Sequence, residues 1–278
     1  MAIQFQTESH QTALAGTTVV TKPTGTVDGD LLIVFVGSNA RTETVNSVPS
    51  GWTLIVSDDS AAANNAILYT YYKIASSEGA SWTWGWTGST ANKGWGALRF
   101  DTFQTASPIN TSAIGQDTND GTANYTNTIT PTVDNCMLVM IALAKDNSTT
   151  GASGYAITTS NPTWTERIDA DLGTNTTIVA ATAIRPQTTA TGDSFINWGT
   201  DEGTEDSQCA IIAINRITDF SANLTDTVTL TETLSVVTAY TANPTDTVTL
   251  TDTLLAEKKK QYTNTAKSSS TWLNQDKS

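Results

Sequence analysis

The chain has few of the residue types that support catalysis or covalent cross-linking. Its 278 residues include one histidine, His10, and two cysteines, Cys136 and Cys209. A histidine-dependent triad would have to use His10, which lies in a polar segment near the N-terminus. Both cysteines lie in apolar runs, which favours buried thiols over a disulfide or a zinc site. Because phosphate-binding glycine loops and His-Glu-x-x-His are also absent, the sequence indicates a non-enzymatic protein without a cofactor.

Basic residues and long apolar runs are scarce as well. The 14 Lys and Arg residues stand against 27 Asp and Glu residues, giving a net charge of −13. This balance argues against nucleic-acid binding, which needs a basic surface. No apolar stretch approaches the ~20 residues that span a membrane. The N-terminus "MAIQFQTESHQ" lacks the features of a signal peptide, so we expect a protein made in the cytoplasm.

The abundance of threonine and the lack of sustained helical periodicity predict an all-β fold. One order of features occurs twice, in halves at about 17–105 and 122–218: Asp30 corresponds to Asn135, Trp52 to Trp164 and Trp86 to Trp198. The runs "DLLIVFV" and "MLVMIAL" are continuous and apolar, as in strands buried on both faces. Together the halves predict a jelly-roll-like double-sheet β-sandwich, over residues 1–218, with roughly eight to ten antiparallel strands.

Three tryptophans alternate along "ASWTWGWTGST". Trp82, Trp84 and Trp86 lie two residues apart, so a β-strand would direct all three to one face. Such a row is either a platform for stacking sugars or part of a hydrophobic core. The corresponding residues of the second half are Ser194, Ile196 and Trp198, which keep the apolar character and lose the aromatic one. This difference favours packing over glycan contact.

The composition changes after Thr218. Residues 222–234 and 242–254 form two copies of a Thr-rich repeat within 219–256, and each contains the alternating strand pattern "TVTLT". The last segment, 257–278, is basic and contains aromatic residues that are expected to be exposed. The repeats are interpreted either as a linker or as strands that pair in an assembly. The last segment is interpreted either as a solvated end or as a peptide that docks onto a partner. The docking candidates are Val228, Leu230, Val248, Leu250, Tyr262, Trp272 and Lys277.

Acidic residues suggest one further kind of site. Carboxylate pairs at loop ends supply the oxygen ligands that calcium prefers. Solvated loop charge remains the favoured interpretation, so no metal site is assigned. The pairs and clusters concerned are Asp58–Asp59, Asp169 with Asp171, and Asp201–Glu202 with Glu205–Asp206.

A series of turn and strand motifs resembles a family of bacteriophage minor virion proteins, of the head-decoration, head-fibre or tail-fibre type. The series consists of Gly-Asp-Leu-Leu at 29–32, Pro-x-Gly-Trp-Thr at 49–53, Tyr72 with Lys73, and Pro108 with Ile109. The "DTVTLTDTL" repeats and the "TWLNQDKS" ending resemble the C-terminal regions of phage minor structural proteins. The resemblance covers nearly the whole chain, but its motifs describe a fold more than a role.

The resemblance implies a non-enzymatic component of the virion, anchored to the capsid or tail by its C-terminal segment. Its expected partners are copies of itself, as a trimer by analogy with many jelly-roll fibres, and other virion proteins. The alternative is an adhesin that binds a host surface glycan through Trp82, Trp84 and Trp86 or through acidic loops. A polysaccharide-degrading enzyme, which would need only two carboxylates, is the third hypothesis.

Overall fold

The computed structural model of the protein describes residues 2–12, 17–40, 42–57, 66–88, 93–117, 128–145, 154–157, 162–172, 176–186, 188–191, 194–197 and 206–217. All of them lie in one compact unit, Met1–Ala222. These residues form fifteen β-strands and no helix. The all-β prediction is therefore confirmed for this part of the chain.

The first half contributes eight strands in two antiparallel sheets. A five-stranded sheet has the order β1-β8-β3-β6-β5, and a smaller sheet has the order β2-β7-β4. The strands are β1 (Gln4–His10), β2 (Thr18–Thr21), β3 (Leu31–Ser38), β4 (Val45–Ser47), β5 (Thr53–Ser57), β6 (Ile67–Ile74), β7 (Ser81–Trp86) and β8 (Lys93–Asp101).

The second half repeats this arrangement. Its five-stranded sheet has the order β9-β15-β10-β13-β12, and β11 pairs with β14 in a separate ribbon. The strands are β9 (Ile109–Asp117), β10 (Cys136–Lys145), β11 (Gly154–Ile157), β12 (Thr165–Asp171), β13 (Thr177–Arg185), β14 (Ser194–Asn197) and β15 (Asp206–Ile214). The two five-stranded sheets have the same strand order when β1 is matched with β9, β3 with β10 and β8 with β15. The duplication seen in the sequence is therefore also present in the topology.

The register of the duplication corrects one correspondence drawn from the sequence. Leu31 pairs with Phe100, which stands opposite the bulge of β1. Met137 pairs with Ile214, which stands opposite the matching bulge of β9, so Leu31 and Met137 occupy equivalent places. Asn135 is therefore the counterpart of Gly29, and not of Asp30. Both residues have a positive φ, 92° at Gly29 and 52° at Asn135, and both lie in the turn before the central strand. A register error of one residue exchanges the two faces of a strand. Because the central strands are apolar on both faces, their sequence alone could not determine the register.

Two β-bulges recur at equivalent positions. One separates Phe5 from Thr7 in β1 and Ile109 from Thr111 in β9. The other separates Leu54 from Val56 in β5 and Glu166 from Ile168 in β12. A bulge adds one residue and increases the local twist of a strand. The outer strands of both five-stranded sheets are therefore shaped alike.

The two five-stranded sheets pack face to face. Alternate residues of β3 and β10, such as Ile33 and Val139, point into one shared core, whereas Val34 and Met140 point outward into separate cores. Strands β3 and β10 are buried on both faces for this reason, as predicted. The body therefore has more layers than expected, because each half forms two layers and the two halves stack on each other. The jelly-roll topology itself stays a prediction.

The stacking has an approximate twofold symmetry. Strand β1 lies against β12 and β5 lies against β9, while β8 faces β13 and β6 faces β15. Since β1 is equivalent to β9 and β5 to β12, exchanging the halves reproduces the same set of contacts. This is the arrangement of an isologous dimer, formed here within one chain. A buried hydrogen bond from the Leu68 amide to Oε1 of Gln208, at 2.7 Å, joins the two halves.

Close approach of the sheets depends on glycine. A Cβ added at Gly96 would meet the ring of Phe35 and, at 2.8 Å, Cδ1 of Ile168 from the other half. We expect Gly96→Ala to lower the free energy of unfolding by about 1–3 kcal/mol, because a packed core resists added volume. Urea titrations should show the loss, with Gly79→Ala as the control, since its Cβ would meet nothing nearer than 3.9 Å. Equal midpoints for the two variants would contradict this packing.

Candidate functional site

The residues that carry the resemblance form turns and brace them. Gly29 adopts a left-handed φ of 92°. Beside it, Oδ2 of Asp30 accepts a hydrogen bond from the Val27 amide at 2.7 Å and lies 2.6 Å from Nε of Arg99 on β8. The carboxylate therefore closes the turn before β3 and fastens it to the neighbouring strand. This gives the Gly-Asp-Leu-Leu motif a structural role.

The second motif meets the third. Gly51, with a φ of 83°, lies against the side chain of Lys73, whose Cε is 3.0 Å from where a Cβ would be. The Lys73 ammonium also donates to the Ser50 carbonyl at 3.4 Å. Trp52, the next residue of the motif, is buried in the outer core of the first half. The Pro-x-Gly-Trp turn and the Tyr-Lys strand are thus one packing unit.

The tryptophan row belongs to the same core. Trp82 is 8% exposed and Trp84 is 2% exposed, while Trp86 is half-buried. The ring centroid of Trp52 lies 5.1 Å from that of Trp82 and 5.4 Å from that of Trp84. Stacking on a sugar requires an exposed ring face, which Trp82 and Trp84 do not offer. The burial supports the packing interpretation of the row.

The glycine within the row lies where β7 and β4 come close together. A Cβ at Gly85 would meet Cβ of Ser47 on β4 at 2.9 Å, so the two strands approach closely there. In the second half, Ile196 occupies the equivalent strand and is fully buried. Trp198, the counterpart of Trp86, lies outside the described residues.

A buried carboxylate anchors one end of the row. Oε2 of Glu78 accepts hydrogen bonds from Nζ of Lys73 and Nε1 of Trp82, both at 2.9 Å, and Oε1 accepts one from the Ser76 amide at 3.0 Å. Burial by itself raises the pKa of Glu78, but the bonds from Lys73, Ser76 and Trp82 together outweigh it and lower the pKa below its usual value. The carboxylate is therefore held ionised.

This shift gives a pH-dependent prediction. A carboxyl whose pKa is lower in the folded state stabilises the fold above its unfolded pKa of about 4.3, and the stabilisation is lost as the pH falls through the folded pKa. We expect Glu78→Gln to be less stable than the wild type at pH 7, with the difference shrinking steadily below pH ~4. Thermal unfolding followed over this range tests it. A difference that is constant with pH would show that the charge of Glu78 is not responsible.

An ion pair anchors the other end. Nζ of Lys93 lies 2.6 Å from Oε2 of Glu43, and the lysine side chain is 0% exposed. The ammonium also lies 5.5 Å from the ring centroid of Trp86, a cation–π contact. Nε1 of Trp86 donates to Oγ1 of Thr18 at 2.9 Å. Both ends of the row are therefore held by buried charge, which argues for a rigid scaffold.

Arg185 at the end of β13 is the feature that the sequence did not reveal. The residue is 1% exposed, and burial lowers the pKa of its guanidinium. Nη2 donates to Oγ1 of Thr189 at 3.2 Å and to the Ala190 carbonyl at 2.9 Å. Nε and Nη1 have no hydrogen-bond partner among the described residues. The following segment lines an open cleft of about 570 Å³, bounded by Thr132, Val133, Asp134, Pro186, Thr188 and Thr189.

The remaining candidate residues lie apart from one another. Nδ1 of His10 is 2.7 Å from Oε2 of Glu8 on the same strand. Cys136 and Cys209 are buried and are not joined by a disulfide, as expected, and burial raises the pKa of Cys136 to about 11. The described part of the chain contains no group of three or more His, Cys, Asp or Glu residues that could hold a metal ion. Most of the acidic clusters considered for calcium lie outside that part.

The docking candidates of the tail, from Val228 to Lys277, also lie outside the described residues. Among the described residues, none forms a helix of the length and apolarity that crossing a bilayer requires. No family model matches the chain, and neither a curated protein nor a solved structure matches it. Function is therefore inferred from the sequence and geometry of this chain.

Proposed function

We propose that the protein is a non-enzymatic structural component of a bacteriophage virion. Its double-sandwich body projects from the capsid or tail, and its C-terminal segment joins it to neighbouring subunits. The head-decoration, head-fibre and tail-fibre roles share this division between a rigid body and an attaching tail.

The observation that carries the proposal is the way the body uses its buried charge. Glu78 with Lys73, Glu43 with Lys93, and Asp30 with Arg99 each connect strands or turns within the first half. These contacts stabilise the body, and those of Lys73 and Asp30 hold motifs on which the resemblance to phage proteins rests. A body of this kind suits a part that must keep its shape on an exposed surface.

The tail supplies the second requirement, a means of attachment. Each "TVTLT" segment alternates threonine with an apolar residue, so a strand formed there has one small apolar face. Such a strand needs a sheet edge to pair with, and β-augmentation provides affinity through main-chain hydrogen bonds. Several copies on a symmetric particle would add avidity to a weak single contact.

A glycan-binding role has less to rest on, because Trp82 and Trp84 are buried. An enzymatic role would need a reactive pair of carboxylates. The buried carboxylates Asp30, Glu43 and Glu78 are each bound to a cation at 2.6–2.8 Å. We therefore favour the structural role over the glycan-binding and enzymatic roles.

Mass spectrometry of purified particles tests the proposal. Particles banded on a density gradient should contain this protein in a fixed ratio to the major capsid protein, and the ratio should survive a high-salt wash. The major capsid protein serves as the internal standard, and an abundant host protein measures contamination. A ratio no higher than that of the host protein would contradict a structural role in the virion.

A further inference from the structure

The four outer strands of the five-stranded sheets differ in how they are protected. An exposed strand edge offers unpaired backbone groups, and proteins block such edges with charge, bulges or short length. Strands β1 and β5 border the first sheet, and β9 and β12 border the second. Because β1 lies against β12 and β5 lies against β9, the body has two distinct sides.

One side carries charge on both edges. Strand β1 contains Glu8 and His10, in contact with each other at 2.7 Å. Strand β12 contains Glu166, Arg167, Asp169 and Asp171. The guanidinium of Arg167 lies 4.1 Å from the ring centroid of Phe5 and so connects the two edges. This side is protected against further strand pairing.

The other side lacks charge at the equivalent positions. Pairing with β8 and β15 makes Ser112 the counterpart of Glu8, and Ile114 the counterpart of His10. In the same way, Ile55 and Ile109 stand where Arg167 and Phe5 stand on the charged side. The sequence of β9 has no charged residue from 109 to 116. Strand β5 is also uncharged, but it has five residues and a bulge in its middle.

We infer that the outer edge of β9 binds the first "TVTLT" strand, residues 227–231, of a second copy of this chain. The inference rests on the proposed assembly role of the tail. Among the described residues, no strand pairs with that edge, and β9 keeps a continuous register with β15 from Thr111 to Asp117. It is the longest uncharged edge among the four described outer strands of the five-stranded sheets. An added strand therefore finds a regular row of backbone groups there.

The side-chain pattern of the tail fits this edge. Ile114 packs against the core shared by the two sheets, and so do Ile55 and Val56 on the facing strand β5. A strand added to β9 continues the alternation of faces, so Val228 and Leu230 extend this apolar surface while the threonines face away. This alternation fixes the face that each side chain occupies and excludes registers shifted by one residue. The occupant thus matches the edge in both hydrogen bonding and polarity.

The path of the chain favours a second copy as the donor. The described chain ends at Ile217, just beyond Ile214, which pairs with Ile109 at the start of β9. An antiparallel strand must enter at the opposite end of β9, roughly 30 Å away at 3.4 Å per residue. The nine residues 218–226 reach that distance only when fully extended, since a flexible linker of this length spans about 17 Å. The tail of a neighbouring copy does not have to span this distance, because it can approach β9 from the opposite end.

Disulfide trapping between two full-length variants tests the contact. Ser112→Cys protein is mixed with Val228→Cys protein under mild oxidation, and peptides linked through the two new cysteines are quantified by mass spectrometry. Glu8→Cys replaces Ser112→Cys in the control mixture. We expect the 112–228 link to exceed the 8–228 link at least tenfold, in a product of dimer mass. Equal amounts, or a link found only when both substitutions are in one chain, would overturn the inference.

A charge placed on the edge gives a second test. Ser112→Glu introduces on β9 the carboxylate that β1 carries at the same place, and Glu8→Ser is its matched control. We expect light scattering to show dissociation of the oligomer for Ser112→Glu only, with native tryptophan emission in both. An oligomer that persists in a folded Ser112→Glu protein would overturn the inference. Particle composition is measured separately, so a failure here leaves the virion proposal testable.

Discussion

Replacing Trp84 by alanine is expected to lower the free energy of unfolding by about 3–5 kcal/mol. Trp84 is 2% exposed and packs against Trp52 and Tyr71, with centroids 5.4 and 5.8 Å away. Removing the indole leaves a cavity between the two sheets of the first half, which rigid strands cannot close. Chemical denaturation followed by far-ultraviolet circular dichroism measures the loss, because this signal does not depend on the tryptophan removed.

Two further variants separate packing from other effects. Thr83→Ala changes an exposed residue of the same strand and should alter stability by less than about 0.5 kcal/mol. Trp84→Phe should cost clearly less than Trp84→Ala, because the indole N–H of Trp84 donates to none of the described residues. If Trp84→Ala were as stable as Thr83→Ala, the row would not be part of the core, and the glycan alternative would return.

Replacing Glu43 by leucine is expected to destabilise the protein by about 3–5 kcal/mol, because it leaves the fully buried ammonium of Lys93 without its carboxylate. The cost arises from an uncompensated charge rather than from lost packing. Thermal and urea unfolding at neutral pH measure it. A loss below about 1 kcal/mol would show that water reaches Lys93 and that the pair is not closed.

The double variant Glu43→Leu with Lys93→Met isolates the charge. Apolar residues of similar volume often replace a buried ion pair at little cost, so the double variant should recover most of the stability lost by Glu43→Leu alone. The contact between Lys93 and Trp86 is lost as well, and this sets the residual difference. A double variant no more stable than the single one would assign the cost to shape and not to charge.

The strands were predictable because their chemistry is local. Continuous apolar runs identified β3 and β10, and alternation identified β7 with its three tryptophans. The duplication was visible through Trp52 and Trp164, which precede equivalent bulged strands. Glycine and asparagine occupy the turns before β3 and β10, at Gly29 and Asn135. These signals depend only on neighbouring residues, so one sequence contains them.

The contacts between distant residues could not be read in this way. Glu43 and Lys93 are 50 residues apart, and either alone resembles a surface charge. Arg185 lies at the end of an apolar strand, and the sequence alone does not distinguish a buried arginine from a solvated one at such a place. The deeper stacking of the halves depends on which face of each five-stranded sheet is more apolar, and β3 and β10 are apolar on both. The difference between the edges became visible only once the register linked Glu8 to Ser112.

We propose above that the tail assembles copies of the body. The most direct test compares the solution mass of the full chain with that of a full-length variant in which Val228, Leu230, Val248 and Leu250 are all threonine. Light scattering after gel filtration should give an oligomer for the wild type and a monomer for the variant. An identical mass for both would contradict the account, because the apolar face of the repeats would then have no part in assembly.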